Sequence, residues 1–92
     1  MAYRIELTPS AARALAELPR PAQRRIARKI DALAEDPRPR RAQKLKGADD
    51  LYRIRPADYR VIYQIRDHVL LILVVRVGHR REVYRREVYR QL

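Results

Sequence analysis

Three short segments carry the residues best suited to chemistry in this chain of 92 residues. Leu51-Tyr52-Arg53-Ile54-Arg55 and Tyr59-Arg60-Val61-Ile62-Tyr63 alternate apolar and basic side chains, and Gly78-His79-Arg80 follows downstream. Alternate side chains of a strand point to opposite faces. The alternation therefore predicts a sheet with one oily face and one face of fixed positive charge. Guanidinium groups suit such a face to phosphate, because they are planar, stay charged and bind phosphate through two parallel hydrogen bonds. If Tyr52 and Ile54 face the core, Arg53 and Arg55 face away. If Val61, Tyr63 and Ile65 face it, Arg60 faces away with Gln64 and Arg66. In the last strand Arg76 lies on the parity of Leu70, Ile72 and Val74. His79 is the one group of the set with an intrinsic pKa near neutrality.

The elements that must position these groups can be read in order. Tyr3-Arg4-Ile5-Glu6-Leu7 alternates as a short strand. Thr8-Pro9 is a helix start, with Thr as N-cap and Pro at the first helical position. Ala11, Leu15 and Leu18 form its apolar stripe, and Pro19 and Pro21 interrupt the pattern. A second helix is expected over 21–35, with Ile26, Ile30 and Leu33 inward and Arg24, Arg25, Arg28 and Lys29 largely outward. Asp36-Pro37 ends it. Residues 37–50 read as a basic, irregular connection. Strands are expected at 51–55, 59–66 and 69–77, joined by short links into an antiparallel meander. The last of them is apolar on both faces and is expected to be the central, most buried strand. The tail, 80–92, is expected to form a short helix. Two such helices need one sheet face to pack on, which gives a single two-layer α+β domain spanning 1–92.

The formal charge of +11 comes from 22 basic and 11 acidic residues. Only Lys29, Lys44 and Lys46 are lysines; the other basic residues are arginines. An excess of this size implies a polyanionic or acidic partner, whether nucleic acid or an acidic protein. Arg38, Arg40, Arg41, Lys44 and Lys46 add a basic patch in the connection, suited to RNA phosphates. The absence of cysteine excludes disulfides and cysteine-based zinc sites. With His68 and His79 the only histidines, no metal site is expected. The N-terminus lacks a signal-peptide pattern, and the longest apolar run, 69–75, is too short to span a bilayer. The chain is therefore expected to be cytoplasmic and free of membrane.

Tyr52-Arg53-Ile54-Arg55, Asp58-Tyr59-Arg60-Val61-Ile62-Tyr63 and Val77-Gly78-His79-Arg80-Arg81-Glu82-Val83-Tyr84 resemble the RelE/ParE superfamily of bacterial and archaeal toxins, and its RelE branch in particular. The similarity extends over essentially the whole chain. It implies a RelE-like fold: an N-terminal strand, a two-helix hairpin packed on a largely antiparallel sheet, and a short C-terminal helix. It also implies a cofactor-free, metal-independent mRNA interferase that enters the ribosomal A site and cleaves the codon there. The nucleotide's 2′-hydroxyl attacks the adjacent phosphate, which calls for a base, for cations around the transition state and for an acid at the leaving oxygen.

The resemblance places Arg53 and Arg55 where RelE-like toxins carry basic residues, often lysines. Arg60 matches a phosphate-stabilising arginine, Arg80 a second arginine near the leaving group, and Tyr84 a C-terminal tyrosine that orients the base. Arginine at both 53 and 55 leaves no readily titratable base there. Cleavage then rests on electrostatics and positioning, or uses His79. The tail repeats itself, Arg80-Arg81-Glu82-Val83-Tyr84 and then Arg86-Glu87-Val88-Tyr89-Arg90. A shift of five residues turns a helix by about 140°, so Tyr84 and Tyr89 cannot share one role. Tyr84, four residues from Arg80, is preferred. The implied partners are the ribosome with its mRNA and an acidic, RelB-like antitoxin. The alternatives are a ParE-like, non-catalytic inhibitor of DNA gyrase and a degenerate toxin that only binds antitoxin or RNA.

Overall fold

A computed structural model describes residues 2–47 and 50–79. Strand β1, Arg4–Leu7, leads into helix α1, Pro9–Ala16, and helix α2, Arg20–Ala32. Strands β2, Gln43–Lys44, β3, Leu51–Ile54, β4, Tyr59–Arg66, and β5, Leu71–His79, follow. The sheet order is β1-β5-β4-β3-β2. The β2–β3, β3–β4 and β4–β5 pairs are antiparallel. β1 runs parallel to β5, with Arg4 opposite Leu71 and Leu7 opposite Val74.

Local chemistry sets the helix starts. The Thr8 hydroxyl accepts a hydrogen bond from the Ala11 amide at 3.2 Å and Pro9 opens α1, as the sequence predicts. Pro19 sits at the cap of α2 without a side-chain hydrogen bond. Ala11 of α1 and Ile26 and Ile30 of α2, with Leu33 just beyond, are buried against the sheet. They meet Ile54, Val61, Tyr63, Ile65, Ile72, Val74 and Val77 in one cluster. This is the expected two-layer α+β arrangement.

Four details differ from the sequence reading. The basic connection contains β2, a two-residue strand that pairs Gln43 with Arg53 and Lys44 with Tyr52. The last strand begins at Leu71 rather than at residue 69: Asp67–Val69 is one 3-10 turn, Val69 is exposed, and Leu70 has a left-handed φ of 52°. β5 is interior, but β4 is the middle strand of the five. The face away from the helices is not purely cationic. Leu51, Ile62 and Val75 form a second small apolar cluster there, flanked by Leu45 and Leu73. The expected C-terminal helix lies outside the described residues.

Candidate phosphate-binding face

Register fixes which side chains share the outer face. Opposed residues of neighbouring strands point to the same side. Gln43 lies opposite Arg53, Arg53 opposite Ile62, and Ile62 opposite Arg76. One straight row therefore crosses four strands as Gln43, Arg53, Ile62 and Arg76. In the adjoining row Arg60 faces Gly78. Gly78 brings no side chain to the flank of Arg60, which is 7% exposed and is the buried charged residue among those described. The Nε atoms of Arg53, Arg60 and Arg76 are all buried. Arg53 and Arg76 are half-buried and Arg60 is buried, on the face that also carries the outer apolar cluster, where arginine methylenes can cover oily surface. Arg55, one residue past β3, is exposed. The Gln43 carboxamide oxygen accepts from Nη2 of Arg53 and, at 3.4 Å, from Nη2 of Arg55. It ties the two guanidinium groups together at the sheet edge.

Arg53 and Arg60 thus lie on the outer face, in phase with the alternation, and Arg55 is held beside Arg53 through Gln43. Arg76 joins them for a reason that alternation hides. Tyr63 pairs with Val74, yet Ile62 pairs with Arg76, so Val75 is an extra residue bulged out of register. Val74 and Val77 belong to the helix-side cluster and Val75 to the outer one. Without the bulge Arg76 shares the phase of Ile72 and Val74, in the core. His79 is placed differently from the expectation. It pairs with Tyr59, a residue packed on the helix-side core, and its ring meets the Tyr59 ring edge-on at 6.0 Å. After the bulge, odd positions face the helices, so His79 is assigned to the side opposite Arg60. Arg80 and Tyr84 lie outside the described residues.

The expected RNA-binding residues divide. Arg40 and Arg41 line a groove shared with Arg24, Arg25, Arg28 and Lys29 of α2 and with Arg55. The four α2 residues are the cations that the helical spacing turns largely outward. Lys44 and Lys46 are exposed, and Lys44 follows Tyr52 to the helix side of the sheet. Groups of three or more histidine, cysteine, aspartate or glutamate side chains able to hold a metal are absent among the described residues. No helix among them is long and apolar enough to cross a membrane.

The mRNA interferase toxin RelE of Escherichia coli (strain K12) is 33% identical to this chain over 96 residues, with 100% of both chains covered. A family profile described as the ParE toxin of type II toxin-antitoxin system, parDE, matches residues 5–84. The chain belongs to the RelE/ParE toxin family. Solved structures of the family agree in fold. The RelE of an archaeal RelE–RelB complex from Pyrococcus horikoshii OT3 superposes with a TM-score of 0.77 at 35% identity, covering 87% of this chain and 97% of that one. Isolated E. coli RelE gives 0.76 at 32% identity, covering 99% and 100%.

In this RelE/ParE-family toxin Arg38 stands apart from the other cations of its segment. Its Nε donates to the Tyr52 hydroxyl at 3.1 Å, its guanidinium lies 5.3 Å from the centre of the Tyr52 ring, and it pairs with Asp67. Tyr52 is on the helix side of the sheet, stacked on Tyr63 with ring centres 6.0 Å apart. The Arg38 hydrogen bond, joined by one from Tyr3, holds the Asp67 carboxyl down to about 2. The same contact with Asp67 raises the pKa of Tyr3. Arg38 therefore fastens the segment after α2 to the β4–β5 turn, away from the arginine face. No feature of its sequence neighbourhood names Asp67 as the partner.

Proposed function

We propose that this toxin is a ribosome-dependent mRNA endonuclease that cleaves A-site codons and so arrests translation. The observation that carries the reading is the cationic face of Arg53 and Arg60, with Arg55 at its edge beside Gln43, in a chain 33% identical over its full length to an mRNA interferase toxin RelE. The RNA's own 2′-hydroxyl supplies the nucleophile. The 2′-oxygen bonds to phosphorus as the 5′-oxygen departs, and the hydroxyl proton leaves as the 5′-oxygen gains one. A 2′,3′-cyclic phosphate and a 5′-hydroxyl result. Arg53 and Arg60 meet the charge that builds on the phosphate oxygens, and Arg55 holds the chain at the sheet edge. Prepositioned donors of this kind typically contribute about 10²–10³ in rate each. Arg80 near the leaving oxygen and Tyr84 at the base complete the site, on the strength of the Gly78-His79-Arg80 to Tyr84 resemblance. The chemistry uses no cofactor or metal. Because all four cations stay protonated, they stabilise charge rather than carry the proton.

The +11 charge suits an acidic, RelB-like antitoxin as the neutralising partner. RelE–RelB complexes among the similar structures favour the same partner. Action on ribosomes places the toxin in the cytoplasm. The second reading, a non-catalytic gyrase inhibitor, is favoured by the ParE description of the matching profile. One experiment separates the two. The toxin is added to a cell-free translation system and mRNA ends are mapped by primer extension, with gyrase supercoiling measured in parallel. Cuts within A-site codons that fade about 10²-fold or more in Arg60→Ala are expected. Intact mRNA with blocked supercoiling would sink the nuclease reading.

A further inference from the structure

We infer that Arg76, swung onto the outer face by the Val75 bulge, is a further phosphate-binding residue for the RNA substrate. The inference rests on the nuclease reading and extends its site to a third strand. In the row across the sheet, Arg53 and Arg76 stand on either side of Ile62. Two strand spacings separate their backbones by roughly 10 Å. Two arginine side chains can close that gap onto one phosphate or spread over two neighbouring ones. Ile62 has no exposed surface, as expected where arginine stems flank an apolar residue.

Arg76 is otherwise hard to account for. Its Nε is buried without a hydrogen-bond partner among the described residues. The side chain as a whole is only half-buried, which leaves its terminal guanidinium amines to donate to a phosphate oxygen. Glu6, which shares the face through its pairing with Leu73, is engaged by Arg4 at 2.9 Å. Its neighbour on β5, Gly78, keeps the space beside Arg60 free of a side chain. Arg76 and Arg60 thus lie on the same face of neighbouring strands, one outward position apart in register. A bulge that costs a regular ladder position is the device that delivers this one cation to the face.

The test is single-turnover cleavage of A-site mRNA on programmed ribosomes by the whole chain, comparing Arg76→Gln, Arg76→Met and Arg76→Lys with the parent. Loss of one charge-assisted hydrogen bond lowers the ratio of rate to half-saturating concentration roughly ten- to hundredfold. Arg76→Gln and Arg76→Met are both expected to show that loss, and Arg76→Lys to recover most of it. The salt dependence of the ratio should flatten in the neutral variants by about 0.7 in its log–log slope, the share of one single-strand phosphate contact. Thermal melting identifies a variant that fails to fold, and the other neutral variant then decides. Parental cleavage with an unchanged slope in a folded neutral variant overturns the inference while the nuclease reading stands. A parent chain that leaves ribosomal mRNA intact overturns both.

Discussion

Arg38 grips Asp67 at two points across 29 residues of sequence, with Nη2 to Oδ2 at 2.7 Å and Nη1 to Oδ1 at 3.2 Å. The Tyr3 hydroxyl donates to the same carboxylate at 2.6 Å. Three distant segments, the start of the chain, the exit of α2 and the β4–β5 turn, meet at one acidic group.

The pH dependence of stability should report this junction. Hydrogen bonds from Arg38 and Tyr3 hold the Asp67 carboxyl at about 2, below its ordinary 3.8. A depressed carboxylate stabilises the fold above its unfolded pKa and loses that contribution as pH falls through its folded one. The denaturation midpoint of the parent should therefore drop between about pH 4 and pH 2 by more than that of Asp67→Asn. Both residues are substantially exposed, so the difference will be modest and will shrink with salt. Identical pH profiles in urea titrations would count against the pair.

Tyr63 should matter more to stability. It is fully buried, and its hydroxyl donates to the Pro37 carbonyl at 2.7 Å. Burial raises its pKa, consistent with a neutral phenol in the core. Tyr63→Phe keeps the ring but orphans a carbonyl, a loss of about 1–2 kcal/mol. Tyr63→Ala removes the ring as well and should lose about 3–5 kcal/mol. Equilibrium unfolding in urea separates the two.

Gln43 should set how freely Arg53 and Arg55 meet RNA. Gln43→Ala removes the acceptor that the two guanidinium groups share and should leave cleavage within a few-fold of the parent. Gln43→Glu places a carboxylate between them, where it competes directly with phosphate. Cleavage should then fall about tenfold or more, in line with charge-assisted hydrogen bonds worth ~1.5–3 kcal/mol. The primer-extension assay reads both variants.

His79 offers a sharper contrast. Loss of a general base costs about 10²–10⁴-fold. With its ring against Tyr59 on the helix side, His79→Gln should reduce cleavage by less than about tenfold. A loss at the scale of a missing base would return His79 to the proton-transfer role.

Much of the architecture was legible because it is local. Thr8 and Pro9 announce α1, the spacing of Ile26, Ile30 and Leu33 marks the buried face of α2, and the alternation around Arg53 and Arg60 gives the phase of β3 and β4. What escaped depends on contacts between distant residues. Gln43-Lys44 has no period of its own and becomes a strand only because β3 offers an edge. Parity counting sends Arg76 inward, and only the bulge against β4 sends it out. The same offset turns His79 away from Arg60. Arg38 reads as one more cation in a basic run until Asp67 arrives from the β4–β5 turn.

The parallel pairing of β1 with β5 has a consequence for the toxin's own synthesis. Residues 4–7 leave the ribosome well before their partners, 71–74, which follow more than sixty residues later. Chains emerge N-terminus first, at about 5–20 residues per second. Until β5 is free, β1 has no strand beside it, and the outer face lacks both Arg76 and the gap at Gly78. A truncated product ending before residue 71 carries Arg53, Arg55 and Arg60 on an unfinished sheet. The topology thus makes completion of the outer face wait for β5, so that a growing chain carries Arg53, Arg55 and Arg60 without Arg76 until residues 71–79 have emerged.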